Sequence, residues 1–411
     1  MSELSANPAA SATQSHAPQA LPVVIVGAGL AAWTTARELR KLDARRPIVI
    51  ISSDSADFYA KPTLSNALAQ KRSAEQLVTT PAAKMAETLQ VQLLPHALVR
   101  SVDTVARSLR YDDATGHSQG LAYGDLVLAT GAEPIRLPMA GSAAAQVQSI
   151  NQLQDLARFH QTLGAAPKTV LVIGAGLIGC EFANDLLLGG YGVHVVDPSP
   201  RPLALLLPAD AGAQLQQALQ AQGVVWHLGT TVQSLDLHAT TGRLAAKLAD
   251  GSSLQVDAVL SAVGLRAHTA LALAAGIACE RGIVVDAHVR TSAPHVYALG
   301  DCAQYASAGE RVLPYVMPIM NAAKALAANL AGQAVELVFP LMPVAVKTPA
   351  LPIVVAAPHP AHNGQWLAEA GLEPEAGGAW RFVDEAGQQR GFVLTGKQSS
   401  RRMELAKTTV L

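Results

Sequence analysis

The sequence predicts an α/β fold in which a strand–turn–helix–strand unit occurs twice, followed by a small α+β domain. Two observations predict this arrangement. Short apolar runs at 23–26 and 170–173 each lead directly into a glycine-rich turn, and from about residue 338 prolines punctuate short β segments. Uninterrupted apolar runs of this kind are typical of parallel strands that helices cover on both faces.

The first unit begins with the strand Val23-Val24-Ile25-Val26 and its turn Gly27-Ala28-Gly29-Leu30-Ala31-Ala32. A helix is predicted next, with Ala36, Leu39 and Leu42 on one face, and then a second apolar strand, Ile48–Ile51. The second unit repeats the order, with the turn Gly174-Ala175-Gly176-Leu177-Ile178-Gly179 and a strand that ends in Asp197. One glycine pattern alone is weak evidence, but two copies in this context predict two Rossmann-like dinucleotide-binding domains.

The glycines have separate physical tasks in such a turn. The first permits a tight turn, the second lets the backbone approach a pyrophosphate, and the third lets the helix pack on the sheet. The free N–H groups at the helix N-terminus then face the phosphates. The second unit has all three glycines, whereas Ala32 stands at the third position of the first unit.

An acidic residue about twenty positions beyond the turn usually binds the adenosine ribose. Asp197 has this position in the second unit, and its charge favours NADH over NADPH. In the first unit Ser52 and Ser53 stand there instead, with Asp54 directly after them. We therefore expect hydroxyl or backbone hydrogen bonds to the ribose in that unit.

Composition excludes several classes of protein. The chain has 411 residues, a net charge of −1 and 15% charged residues, which predicts two or three domains and argues against a nucleic-acid partner. No apolar run is long enough to cross a membrane, and residues 1–20 have the composition of a disordered tail rather than of a secretory signal. We expect a cytoplasmic protein.

The three cysteines, Cys180, Cys279 and Cys302, form neither a Cys-x-x-Cys pair nor a metal-binding pattern, so we expect no metal.

These motifs, in this order, resemble the two-dinucleotide-domain flavoprotein reductases, over nearly the whole chain after residue 20. The segments that carry the resemblance are Gly27-Ala28-Gly29, Ala129-Thr130-Gly131-Ala132, Gly174 to Glu181, Ala262-Val263-Gly264 and Leu299-Gly300-Asp301. The resemblance implies FAD on the first turn and NAD(H) on the second. It also implies a discontinuous FAD domain (21–134 and 262–336), an NAD domain (135–261) and a C-terminal domain (337–411).

Within that family the chain is similar to the bacterial rubredoxin–NAD reductases. The specific segments are 58–65, 131–136, 346–349 and above all 176–185. The similarity implies that Lys61, Lys347 and Val316 lie near the flavin and Glu181 at its boundary with the nicotinamide. The implied FAD residues are Gly27, Ala28, Gly29, Leu30, Ala31, Ser52, Ser53, Lys61, Val99, Thr130, Gly131, Glu181, Gly300, Asp301, Val316 and Lys347. Those implied for NAD are Gly174, Ala175, Gly176, Leu177, Ile178, Gly179, Asp197 and Gly264.

No cysteine occurs between Tyr59 and Ser65, where relatives with a single redox cysteine carry it. The resemblance therefore implies that FAD passes its electrons directly to an external carrier, most simply rubredoxin, without a catalytic acid or base. A ferredoxin reductase of an oxygenase system and a non-enzymatic redox sensor remain alternatives, and we expect a monomer.

Simpler interpretations also remain for the charged residues. Lys61 could be a surface lysine, and Glu181 could lie on a solvent-exposed helix face. Rubredoxins as a group are acidic, so a cationic docking rim is expected, although basic runs are more often solvated helix faces. The candidates for that rim are Arg37, Arg40, Lys41, Arg45, Arg46, Lys71, Arg72, Arg401 and Arg402.

Overall fold

The computed structural model describes residues 20–166, 168–372 and 376–411. The predicted disordered tail, residues 1–20, lies outside the described residues except for residue 20. Among the described residues, no helix combines the length and apolarity that a membrane crossing requires.

The first unit is built on a five-stranded parallel sheet. Every residue is buried in the two strands that come first along the chain, Val23–Val26 and Ile48–Ile51. Its strands, in spatial order, are β18 (Val296–Ala298), β7 (Asp125–Leu128), β1 (Val23–Val26), β2 (Ile48–Ile51) and β3 (Gln92–Leu94). Helices α1 (Leu30–Leu42) and α7 (Val316–Leu330) pack against each other, and α2 (Ala82–Leu89) contacts α1. The long apolar runs thus form a parallel sheet, as predicted.

Two smaller sheets accompany this unit. One is antiparallel and consists of β4 (Leu98–Asp103), β5 (Ser108–Asp112) and β6 (Ser118–Ala122). The other is mixed and consists of β17 (Ile283–Val285), β19 (Ala303–Tyr305) and β20 (Arg311–Val312).

The second unit repeats this arrangement with four parallel strands. In spatial order they are β11 (Val224–Leu228), β10 (Gly192–Asp197), β9 (Thr169–Ile173) and β15 (Ala258–Ser261). Its helices are α3 (Leu153–Leu163), α4 (Leu177–Leu188) and α5 (Ala209–Ala221). An antiparallel sheet of β12 (Val232–Leu237), β13 (Leu244–Leu248) and β14 (Ser253–Val256) covers one side. The predicted pair of Rossmann-like units is confirmed.

The chain passes between the two units twice, and the crossings pair with each other. Strand β8 (Ala132–Pro134) runs antiparallel to β16 (Leu265–Ala267), shortly before α6 (Ala270–Ala274). Arg266 also donates to Glu133 across the pair at 2.6 Å. The two crossings come directly after strands β7 and β15, each of which leads into a glycine. Both crossings therefore lie next to the glycine-rich turns.

The C-terminal part is a five-stranded antiparallel sheet with one short helix, which confirms the predicted α+β class. The strands, in spatial order, are β21 (Val344–Val346), β22 (Ile353–Ala356), β25 (Gln389–Thr395), β24 (Ala379–Asp384) and β23 (Gly364–Ala368), and the helix is α8 (Arg402–Thr408). Short 3₁₀ turns span Lys61–Asn66, Glu75–Leu77, Ala144–Gln146, Ala306–Ala308 and Gly396–Arg401. The domain boundaries given above stay a prediction.

The third glycine of the second turn is required by close packing. A Cβ added to Gly179 would lie 2.0 Å from the carbonyl oxygen of Gly174, a distance that no real Cβ adopts. In the first unit, by contrast, Ala32 is accommodated with its side chain fully buried. The two turns therefore differ in how closely the helix approaches the strand.

We expect Gly179→Ala to lower the free energy of unfolding by about 1–3 kcal/mol, because the new methyl group forces α4 away from the turn. Urea unfolding measures the change. Gly120→Ala is the matched control, since a Cβ on exposed Gly120 would meet no protein atom within 4 Å. Equal stability of both variants would contradict this account.

Candidate functional site

A cleft of 3140 Å³ runs between the two units and reaches the C-terminal sheet. Both glycine-rich turns and both crossings line it, together with residues from the start of α7 and the end of β21. All the residues predicted to contact FAD or NAD lie on its wall except Gly179, which lies in the first turn of α4 and packs against Gly174. The residues predicted from three distant parts of the sequence are thus brought to one cavity, while their cofactor contacts stay a prediction.

The first turn has the geometry that a bound pyrophosphate requires. Gly27 has φ +108°, and a Cβ there would lie 2.2 Å from the carbonyl oxygen of Ala129, so the fold itself demands this glycine. A Cβ on Gly29 would instead meet no protein atom within 4 Å. Gly29 also begins α1 without any side-chain cap, which leaves N–H groups directed at the cleft.

The second turn shows the same division of tasks. Gly174 has φ +107°, and its Cβ would lie 2.7 Å from the carbonyl oxygen of Ala262. Gly176 faces open space and begins α4 without a side-chain cap. A side chain at Gly29 or Gly176 would not clash with the protein, so the protein alone does not require glycine at either position. Two bound dinucleotides whose phosphates approach the backbone would require it, and the two turns fit such ligands.

The carboxylate of Asp197 is held at the end of β10 by two backbone groups. Ala175 donates its N–H to Oδ2 at 2.7 Å, and Ser199 donates to Oδ1 at 2.7 Å. A carboxylate has about four lone-pair sites, so two remain for ribose hydroxyls. In the first unit Ser52 donates its hydroxyl to Asp54 at 2.6 Å, so its proton is used within the protein while its oxygen can still accept a hydrogen bond.

Asp301, the predicted FAD residue after β18, faces a lysine from the first unit. The Nζ atom of Lys61 lies 3.3 Å from Oδ2 of Asp301, and 38% of the lysine side chain is exposed. The neighbouring backbone N–H of Gly300 donates to the hydroxyl of Tyr305 at 2.8 Å. Burial raises the pKa of the Tyr305 phenol, which therefore stays protonated. Sequence reasoning missed Tyr305, since nothing in its local pattern points to this contact.

Glu181 and Lys347 form an ion pair in the wall of the cleft. The Glu181 side chain is 1% exposed, and its Oε2 atom accepts from Nζ of Lys347. The backbone N–H of Lys347 also donates to Oε1 at 2.9 Å. The alternative that Glu181 lies on a solvent-exposed helix face is wrong, because the carboxylate is buried and paired with a lysine of the C-terminal part.

Two further polar residues of α4 were missed by sequence reasoning. Asp185 accepts backbone N–H groups from Leu68 and Ala69 at 3.0 and 2.9 Å. Asn184 accepts from the backbone N–H of Ala350 at 3.1 Å. Their spacing from Glu181 places all three on neighbouring positions of the helix. The presence of these polar residues in an otherwise apolar helix was the sequence signal that could have indicated buried polar contacts.

The cysteines do not form a redox relay in the structure. Cys180 and Cys302 are buried, and both thiols lie against backbone carbonyl oxygens at 3.3–3.4 Å. Burial raises the pKa of both thiols, which makes them poor nucleophiles. Within the described ranges no group of three potential ligands could hold a metal ion.

Several of the cations proposed for a docking rim have structural partners. Arg46 pairs with Asp125 at 2.7 Å, and Lys41 pairs with Glu38 at 2.6 Å. Arg40 donates to four backbone carbonyl oxygens. Arg401 is held by Glu369 and Glu404. A rim made of these residues stays a prediction, and these four contribute less free charge than the sequence suggests.

Comparison with known proteins identifies the class. Residues 21–328 match the family model described as pyridine nucleotide-disulphide oxidoreductase, and residues 336–409 match the rubredoxin binding C-terminal domain. The rubredoxin-NAD(+) reductase of Alcanivorax borkumensis is 42% identical over 94% of this chain and 98% of its own length. A protein of Vibrio vulnificus named nitric oxide reductase FlRd-NAD(+) reductase is 40% identical over 94% and 97%.

Solved structures agree with this result. A ferredoxin reductase from Rhodopseudomonas palustris has a TM-score of 0.84 and 27% identity, with 95% of each chain covered. Putidaredoxin reductase, in its covalent complex with putidaredoxin, shares the fold with a TM-score of 0.83 and 24% identity over 94% of this chain and 93% of its own. The chain belongs to the pyridine nucleotide-disulphide oxidoreductase family. It is an FAD-dependent oxidoreductase that uses NAD(H).

We expect Gly29→Ala and Gly176→Ala to fold normally and to fail at different cofactors. Each Cβ would project into the cleft and not into protein, so Gly29→Ala should weaken FAD binding and Gly176→Ala should raise the KM for NADH, each by about tenfold. Flavin content and steady-state kinetics measure the two effects. Unchanged cofactor affinities in both variants, or the opposite assignment, would contradict the placement of the dinucleotides.

Asp185 predicts a pH-dependent contribution to stability. Burial is the largest cause that raises its pKa, from an ordinary 3.8 to about 6. The folded protein therefore keeps a proton that the unfolded chain loses, so stability falls as the pH rises from about 4 to about 6, by up to about 3 kcal/mol, and is level above that range. Asp185→Asn removes this change. Parallel Tm-against-pH curves for the variant and the wild type would refute the assignment.

Proposed function

We propose that the chain oxidises NADH and passes the electrons through FAD to a rubredoxin. The observation that carries the proposal is the C-terminal sheet, because residues 336–409 match a rubredoxin binding domain and Lys347 of that region lines the cofactor cleft. Similarity to rubredoxin-NAD(+) reductases over nearly the full length supports the same acceptor. The three cysteines are free, and Cys180 and Cys302 are buried, which supports direct transfer without a disulfide relay.

FAD, when bound, supplies the conversion between a two-electron donor and a one-electron acceptor. The protein supplies position and charge. The turn at Gly174–Gly179 and Asp197 would hold NADH so that its nicotinamide end points along the cleft, past Glu181. Orientation of this kind is the main requirement of a transfer that needs no acid or base.

Lys61 and Lys347 place positive charge on the wall of the cleft. Such fixed charge favours a reduced, more negative cofactor over the oxidised one, because it is already in place when the electrons arrive. The Lys61 ammonium is shared with Asp301, and the Lys347 ammonium is shared with Glu181. The two carboxylates hold the lysine side chains in place on the wall of the cleft.

A second acceptor class has its own support. The ferredoxin reductase of Rhodopseudomonas palustris shares the whole architecture at 27% identity. A rubredoxin is favoured because two relatives, at 42% and 40% identity, are named rubredoxin-NAD(+) reductase, and because the C-terminal match is to a rubredoxin binding domain. We also propose a cytoplasmic location, where the three unpaired cysteines would stay reduced.

The test is NADH oxidation by the purified flavoprotein with rubredoxin or ferredoxin as the acceptor. We expect kcat/KM for rubredoxin to exceed that for ferredoxin by at least about tenfold. Comparable or better turnover with ferredoxin would assign the chain to the oxygenase-linked reductases. Rapid reduction of the flavin that neither carrier reoxidises would instead favour a redox-sensing role.

A further inference from the structure

We propose that Ser65 is a positioning residue for Lys347, and that its hydroxyl sets the electrostatic field that this lysine exerts in the cofactor cleft. The proposal deepens the proposed function, since it takes FAD as the group that experiences the field. It does not depend on which carrier accepts the electrons.

The Ser65 hydroxyl lies between the two charges. Its Oγ atom donates to Oε2 of Glu181 at 2.7 Å and accepts from Nζ of Lys347 at 2.6 Å. Ser65 is 3% exposed, so its hydroxyl has little access to bulk water. A hydroxyl is both a donor and an acceptor, and therefore one small group can serve an anion and a cation at the same time.

The Lys347 ammonium is fully committed to acceptors within the protein. It donates to the carbonyl oxygen of Pro62 at 2.8 Å, to Ser65 at 2.6 Å, and to Glu181. An ammonium has three donors, and these contacts use all of them. Lys347 thus acts on the cleft through a charge in a fixed place, and the place is defined by all three acceptors together.

Loss of the hydroxyl changes the balance between the two charges. Glu181 would lose the hydroxyl that now donates a hydrogen bond to its carboxylate. At 1% exposure the carboxylate has little access to water as a replacement donor. Lys347 would lose one of three acceptors and move toward the carboxylate. The ammonium and the carboxylate would then lie closer together, and their fields would cancel more completely in the cleft. The positive field at the flavin would weaken, so reduced flavin would be less stabilised.

A purely structural role predicts a different result. Ser65 lies in the 3₁₀ turn Lys61–Asn66, and removal of a buried hydroxyl costs about 1 kcal/mol of stability wherever it occurs. That cost alone would lower Tm and leave the redox potential of the bound flavin unchanged. The potential is therefore the measurement that separates the two roles.

The experiment compares the two-electron midpoint potential of bound FAD in the wild type, Ser65→Ala and Ser65→Thr, with Tm recorded for each and no carrier present. We expect Ser65→Ala to reduce the preference for reduced over oxidised FAD about tenfold, which corresponds to about 30 mV. Ser65→Thr, which keeps the hydroxyl, should restore the potential. Thr395→Val is the matched control: Thr395 is also buried, and its hydroxyl donates to Gln214 at 2.7 Å away from the cleft.

A double-mutant cycle with Lys347→Met gives a second test that holds even where the threonine variant folds poorly. If Ser65 acts through Lys347, Ser65→Ala should add no further shift in potential to Lys347→Met. Additive shifts would overturn the proposal. So would a wild-type potential in Ser65→Ala with a lowered Tm, or an equal shift in Thr395→Val. Because no carrier is used, failure of rubredoxin as the acceptor would leave this result intact.

Discussion

The buried carboxylate of Glu181 is the constraint on which the assembly of the molecule depends. A carboxylate with 1% exposure and no partner would cost several kcal/mol, so the folded chain must bring a cation to it. That cation is Lys347, which lies 166 residues further along the chain, and the hydroxyl of Ser65 completes the contact from the first unit. One ion pair therefore requires the first unit, the second unit and the C-terminal sheet to meet where the cofactor cleft lies.

Helix α4 extends this constraint beyond the pair. Asn184 holds the backbone just after Lys347, and Asp185 holds the backbone just after Ser65. The segments that carry the two partners of Glu181 are thus each fixed a second time by the same helix. Such double attachment explains how a lysine of a separate sheet can keep a fixed position in the cleft, since neither segment can shift without breaking a buried hydrogen bond.

Local chemistry made the two units predictable from the sequence. Positive φ at Gly27 and Gly174, unbroken apolar strands and Asp197 at a strand end are all properties of short segments. The Ser65–Lys347 contact spans 282 residues and leaves no periodic signal, so it could not be predicted. Periodicity also failed at one helix end: Leu42 was assigned to the apolar face of α1, yet 48% of it is exposed because the helix ends there.

Basic residues show why counting charges along a sequence overestimates a docking rim. The segment from Arg37 to Arg46, which covers the end of α1 and the loop after it, contains five cations. Arg40 binds carbonyl oxygens of that loop, and Arg46 joins the loop to β7 through Asp125. Their charge stabilises the C-terminal end of a helix and the edge of a sheet. Lys61 and Lys347 also have carboxylate partners, yet they line the cleft. What distinguishes a functional cation here is its position on the wall of the cavity, which only the fold determines, and not its freedom from a partner.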